Sequence, residues 1–269
     1  VLAAPLHHPL RIAEDTLMLD WLSSGRFILG MGAGHQVADF AAYGVDHRSR
    51  TERFEEILHI LGLCFAGEPF AHAGEFFEIK AEITPRPYSK PRPPIWLGAH
   101  GPVGIDRAAR RSDLWLADPQ RHIAIVARLA GHYRERCAVH GTSPKVGIFR
   151  EAWVADGTES SLSEWTRSVM AVHRLYYNVG AYRPEFEPWA TRSLPRSEFS
   201  FELLSPGRFL VGDGAQLRHT VEEWRKLTGA QYLALRFRQP QGPSHAATCE
   251  ALRRFGHEVI SATPRGEEG

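Results

Sequence analysis

The chain has 269 residues, 43% of them hydrophobic and 23% charged, with a formal net charge of +1. That balance allows a sizeable core and gives no basis for a nucleic-acid or acidic-membrane partner. Cys64, Cys137 and Cys249 are far apart and odd in number, which excludes a disulfide framework or a CxxC metal site and points to a reducing, cytoplasmic setting. There is no apolar run long enough to span a bilayer.

Val1–Leu6 reads as the end of a strand, and His7-His8-Pro9 follows it. A helix is expected from about Leu10 to Leu22, stopped by Gly25. Arg26–Met31 is the next strand. Ser49-Arg50-Thr51-Glu52 has the spacing of a capping box. It opens a helix with Phe54, Ile57, Leu58 and Leu61 at helical intervals. Residues 68–94 form an excursion in which five prolines, from Pro85 to Pro94, exclude helix. Ile95–Gly98 is a buried strand, and Gly101-Pro102 starts a helix. Asp113–Ala117 and Lys145–Val154 are strands flanking a helix over 121–139. A helix over about 160–178 precedes a second excursion at 180–205. Asp213 caps a helix through Leu227, Tyr232–Phe237 is a strand, and Leu252, Phe255 and Val259 mark a final helix. The alternation predicts an α/β fold with a parallel sheet and helical crossovers, in one domain over 1–269. Six strands are expected where a complete (β/α)8 barrel needs eight.

In parallel barrels the chemistry lies at the carboxyl ends of the strands. That rule selects His7, His8, Met31–His35, Gly98–Val103, Ala117, Asp118, Arg150, Arg236 and Phe237. Gly30-Met31-Gly32-Ala33-Gly34 lacks the third glycine of a dinucleotide fingerprint, because position 35 is His35. Gly98-Ala99-His100-Gly101-Pro102-Val103 is the better phosphate candidate, since a helix N-terminus offers free amides to an anion. A plain strand-to-helix turn is its alternative. His8 and His35 either line a site, where imidazole can donate, accept and titrate, or serve as cap and packing. Arg150 and Glu151 alternate to opposite faces of their strand. An arginine buried at position 236 would need a carboxylate or a phosphate, and a surface ion pair is the other outcome. Trp21, Trp115, Trp153 and Trp224 are expected in the core. No metal-ligand spacing and no Gly-x-Ser-x-Gly elbow is present.

The stretch Leu19-Asp20-Trp21-Leu22-Ser23-Ser24-Gly25-Arg26-Phe27-Ile28-Leu29-Gly30-Met31-Gly32-Ala33-Gly34 resembles a signature of the bacterial luciferase-like monooxygenases, flavin- or deazaflavin-dependent (β/α)8 enzymes. The resemblance implies a TIM-type barrel missing its first two β/α units, so the chain is expected to lack its native N-terminus. It implies a monooxygenase that uses reduced FMN as co-substrate, O2 and a separate flavin reductase on a small apolar organic substrate, often as a homodimer. Cofactor contacts are then expected from Gly32, Ala33 and Gly34 and from Gly98, Ala99, His100, Gly101 and Val103, with His8 and His35 as catalytic candidates. Some FMN-using relatives carry a phosphate-binding arginine near the position of Ala33, and many deazaflavin users have Gly-Ala-Gly there. Hydride transfer with deazaflavin coenzyme F420 is therefore the alternative chemistry, and a non-catalytic flavin-fold protein the alternative class.

Overall fold

A computed structural model describes residues 1–155, 159–184, 186–190, 194–195 and 198–261. They form two compact units, Val1–Trp115 with Arg136–Pro144, and Leu116–Glu135 with the remainder from Lys145.

In the first unit, β1 (Leu2–Ala3) runs into a short 3-10 turn over Ala4–Leu6 and then α1 (Pro9–Leu22). The expected first strand is thus shorter, because Pro5 lies within the turn. The His8 imidazole caps α1, its Nδ1 accepting the Leu10 amide at 3.3 Å, with Pro9 in the first helical turn. Ile12, Ala13 and Leu17 bury one face. β2 (Leu29–Gly32) is followed by α2 (Val37–Ala42) and α3 (Arg50–Ala66). Helix α3 starts where expected, but not through a capping box. A 3-10 turn over His47–Ser49 leads straight into it. Ser49 is already near-helical, and its hydroxyl donates back to Asp46 O at 2.9 Å.

The excursion over 68–94 holds a hairpin that the sequence did not reveal, β3 (Phe70–Ala73) antiparallel to β4 (Glu78–Ala81). Glu56 of α3 pins it, accepting from His72 Nε2 at 2.9 Å and from the Phe76 and Phe77 amides at 3.0 Å each. The fully buried Asp20 ties down the proline segment through Ser89, at 2.9 Å to its amide and 2.6 Å to its hydroxyl. Trp21 is half exposed rather than in the core, because its indole N–H reaches out to the Arg86 carbonyl at 2.7 Å.

β5 (Ile95–Gly98) and α4 (Pro102–Arg111) precede β6 (Leu114–Ala117). β1, β2 and β5 are parallel neighbours, with Ala3 opposite Gly32 and Met31 opposite Leu97. The carboxyl ends of all three therefore lie side by side.

α5 (Ile123–His140) leads to β7 (Val146–Val154), the longest strand and the spine of the second unit. Eight of its nine residues are buried, as a strand covered on both faces requires. After it come α6 (Glu159–Asn178), α7 (Phe201–Leu204), β8 (Leu210–Gly212), α8 (Gly214–Thr228), β9 (Tyr232–Arg236) and α9 (His245–Phe255). β8 and β9 both pair in parallel with β7. β8 was not expected, being only three residues long. Asp213 and Gln216 form the cap expected for α8, here a reciprocal capping box. The last helix passes into a π turn over Gly256–Ile260 that carries Val259. Parts of the 180–205 excursion, 185, 191–193 and 196–197, lie outside the described residues.

Burial pushes the Glu56 carboxyl up, but its hydrogen bonds to His72, Phe76 and Phe77 outweigh this and hold it below its ordinary value of 4.5. A depressed carboxylate stabilises the fold above its unfolded pKa, and that stability is lost as pH falls through the folded value. Glu56→Gln is therefore expected to cost about 1–3 kcal/mol at pH 7. In urea melts, the gap to the parent protein should close below about pH 4. A gap that persists in acid would show that charge at Glu56 is not what holds the hairpin.

Candidate functional site

The expected site residues of the first unit come together at one sheet end. Gly32, Ala33 and Gly34 leave β2 beside Gly98 at the end of β5, while His7 and His8 follow β1. Gly34 is required by the backbone. Its φ is +72°, and a Cβ there would sit 2.9 Å from the Phe40 ring. His35 is exposed just beyond it.

The turn after β5 is built for close approach. Gly104 packs on Ala99, where a Cβ would come within 2.9 Å of the Ala99 Cβ. The Ala99 carbonyl is fixed by Trp115 Nε1 at 2.8 Å. Helix α4 then begins with Gly101 as its cap residue, and no side chain caps it. Pro102 has no N–H, so the Val103 and Gly104 amides are the donors at this end. A Cβ at Gly101 would meet nothing within 4 Å, so open space lies beside them. His8 departs from the site role expected for it in one respect. Its Nδ1 is spent on capping α1, and its ring meets Phe77 edge-on at 5.4 Å.

A second cluster, in the second unit, was only partly legible. Arg150 and Glu151 of β7 are both fully buried, on opposite faces. Arg150 donates to the carbonyls of Asp118 (2.8 Å), Phe149 (2.9 Å) and Arg121 (3.2 Å). Burial pushes its pKa down to about 10 against the pull of Asp118 and Glu151, and it remains a cation at neutral pH. Glu151 accepts from Arg236 Nη2 at 2.7 Å and Gln239 Nε2 at 3.2 Å, with His173 Nε2 at 3.4 Å. The partner for Arg236 is thus a carboxylate, half of the alternative posed above. His173 Nδ1 meets the Tyr182 hydroxyl, which burial holds well above its ordinary range.

Arg208, just before β8, donates from Nε to Gln120 O at 2.9 Å and pairs through Nη2 with Glu187. Neither Arg208, Glu187 nor His173 carried a sequence signal, since each is defined by a partner distant in the chain. Only the clustering of aromatics in 180–205 marked the region. Trp115, Trp153 and Trp224 are buried as expected. Among the described residues, no group of three or more His, Cys, Asp or Glu could hold a metal ion, and no helix is long and apolar enough to cross a membrane.

With this geometry in view, comparison with known proteins is informative. The family model for luciferase-like monooxygenases matches residues 1–231. The chain belongs to that family. Among curated relatives, the oxygenase component of a flavin-dependent trigonelline monooxygenase from Acinetobacter baylyi is 28% identical over 169 residues. That match covers 59% of this chain and 45% of the relative, so the chain spans under half of that protein. Among solved structures, the oxygenating constituent of 3,6-diketocamphane monooxygenase from Pseudomonas putida, in complex with FMN, matches with TM-score 0.76 and 18% identity, over 97% of this chain and 78% of that one. The F420-dependent tetrahydromethanopterin reductase from Methanopyrus kandleri matches with TM-score 0.71 and 21% identity, over 95% and 79%. These likenesses show the fold, the luciferase-like TIM-type barrel.

The Arg208–Glu187 pair is buried, with both residues 2% exposed. Removing one member leaves the other charge without compensation, at a cost of about 3–5 kcal/mol. Arg208→Met and Glu187→Met should each destabilise by that order in urea denaturation. Their sum should exceed the double variant by about 1–3 kcal/mol. Strict additivity would mean that the two side chains do not act as a pair.

Proposed function

We propose that this chain is a flavin-dependent monooxygenase that uses reduced FMN and O2 to oxidise a small apolar organic substrate. What carries the reading is the uncapped N-terminus of α4 at the end of β5, next to the β2 glycine loop. Its Val103 and Gly104 amides and partial positive charge suit a phosphate. The residues fit an FMN on one further ground. A glycine required at position 34 and the open space beside Gly101 give backbone access where Cβ atoms would obstruct it.

In this reading Gly98, Ala99, His100, Gly101 and Val103 hold the phosphate end, and Gly32, Ala33 and Gly34 line the flavin. Bound reduced flavin supplies the electrons that activate O2. The chain's own part is to fix the phosphate, exclude water and orient the substrate. His8 keeps Nε2 for a hydrogen bond because Nδ1 is committed to Leu10. His35 and His8 are assigned to the substrate or the flavin ring, where imidazole can hold or move a proton near neutral pH. The name of the trigonelline relative, an oxygenase component, supports a separate flavin reductase as partner. A homodimer in a cytoplasmic setting completes the proposal.

A second reading rests on Ala33. The loop has no arginine to grip a phosphate, and F420-dependent structures share the fold. Substrate oxidation that proceeds at full rate without O2 would select that hydride-transfer chemistry.

Gly101→Asp separates phosphate binding from folding. Aspartate is a preferred cap residue, and the site has room for it, so thermal stability should hold or rise. The same carboxylate would claim the α4 amides and repel a phosphate. Anaerobic titration should show reduced FMN binding weakened by at least about tenfold, with riboflavin, which has no phosphate, unaffected. Equal loss of both ligands, or of neither, would place the phosphate elsewhere.

A further inference from the structure

The loop after β6 gathers three buried arginines, and two of them hold its carbonyls. Arg150 donates from Nη1 to the carbonyls of Asp118 and Phe149 and from Nη2 to that of Arg121, its buried Nε having no partner among the described residues. Arg208 holds Gln120 O and Leu204 O and pairs with Glu187. Both position the loop. Arg121 differs from them.

Arg121 is only 3% exposed, yet its nearest carboxylate contact is Asp118 Oδ2, 3.9 Å from Nε. That is beyond hydrogen-bond range. Its Nη1 is buried and has no partner among the described residues. Asp118 is held in its own turn, its Oδ1 accepting the Gln120 and Arg121 amides at 2.9 and 3.2 Å. The Phe186 ring lies 4.9 Å from the Arg121 Cζ and offers an aromatic face but no carboxylate.

The charge around the loop is also unbalanced. Among the described residues, the guanidinium groups of Arg121, Arg150, Arg208 and Arg236 face the carboxylates of Asp118, Glu151 and Glu187. Glu151 is matched by Arg236, and Glu187 by Arg208. Arg150 is met by carbonyls alone, and Asp118 is left as the carboxylate nearest Arg121. The cations outnumber the carboxylates by one, and the Arg121 guanidinium makes no hydrogen bond among the described residues. A buried guanidinium left this way is costly. A bound carboxylate, which matches its planar fork with two parallel hydrogen bonds, would remove the cost.

We propose that Arg121 anchors the carboxylate of the organic substrate, whose apolar body packs on Phe186. This narrows the substrate class to organic acids, and it rests on the oxygenase reading above for the identity of the ligand as substrate. Arg121 belongs to the second unit and Gly101 to the first.

The test is calorimetric titration of the whole chain with two acids, benzoate and octanoate, each against its neutral amide. At least one acid should bind at least about tenfold more tightly than its amide. Arg121→Gln should abolish that preference, and Arg121→Lys, which keeps the charge but not the fork, should restore part of it. Reduced FMN affinity should stay unchanged in both variants. No binding of either acid to the parent protein, no preference over the amides, or an equal preference in Arg121→Gln would each overturn the anchor. If neither variant folds, the comparison of acid with amide on the parent protein still decides. A clear acid preference in a chain that binds no flavin would sustain the anchor and sink the oxygenase reading.

Discussion

Charge buried on a central parallel strand is the constraint on which the second unit depends. β7 is covered on both faces, yet it carries Arg150 and Glu151 at adjacent positions with no exposure. Alternation sends them to opposite sides, so neither can neutralise the other. Each must be matched on its own face, or the fold loses several kcal/mol. Arg150 draws in the carbonyls of the loop after β6, and Glu151 draws in Arg236 from β9 and Gln239 just beyond it. The loop and the neighbouring strand end are thereby fixed by electrostatics as well as by the sheet ladder. Burial alone would raise Glu151, and His173 and Arg236 reverse that, so the carboxylate form is the one the fold holds.

The loop is reinforced from a second direction by Arg208. Its approach depends on Gly207, whose φ is +67° and whose missing Cβ leaves room for the His122 ring. His122 in turn caps the start of α5, accepting the Ala124 amide at 3.1 Å. Burial and the nearby Arg208 charge lower the His122 pKa, which favours the neutral ring that this cap needs. Two cationic side chains, Arg150 and Arg208, thus converge on residues 118–122, and the histidine among them is biased toward its neutral form.

Most of the element pattern was legible because it rests on local chemistry. Apolar runs such as Ile95–Gly98 and Val146–Val154 mark buried strands, and Asp213 and Gln216 carry a cap in four residues. What was not legible depends on tertiary partners. β8 is three residues long and exists because β7 offers it a ladder. The β3–β4 hairpin has no strong alternation and is held by Glu56 from a distant helix. Ser49 has the right neighbours for a capping box, but the 3-10 turn before it sets its backbone first. Trp21 has core composition, yet its indole N–H finds a carbonyl at the surface. For the site, the glycine and helix-start features of 32–34 and 98–103 were readable, since they are backbone requirements. Arg121 was not, because an unused donor is visible only after every other donor has been placed.

The two clusters therefore use different physics. The first unit presents backbone amides, exposed by glycine and by a helix start, and a main-chain donor set of that kind suits any ligand with a phosphate. It carries little information about what is oxidised. The second unit presents side chains whose geometry is fixed by buried ion pairs, and a planar guanidinium beside an aromatic ring discriminates among small molecules by charge and shape. Backbone donors of the first kind tolerate many side chains around them, whereas a feature of the second kind changes with a single substitution. That division explains why the glycine features of 32–34 and 98–101 are readable in the sequence, while the bonding state of Arg121 is readable only in the fold.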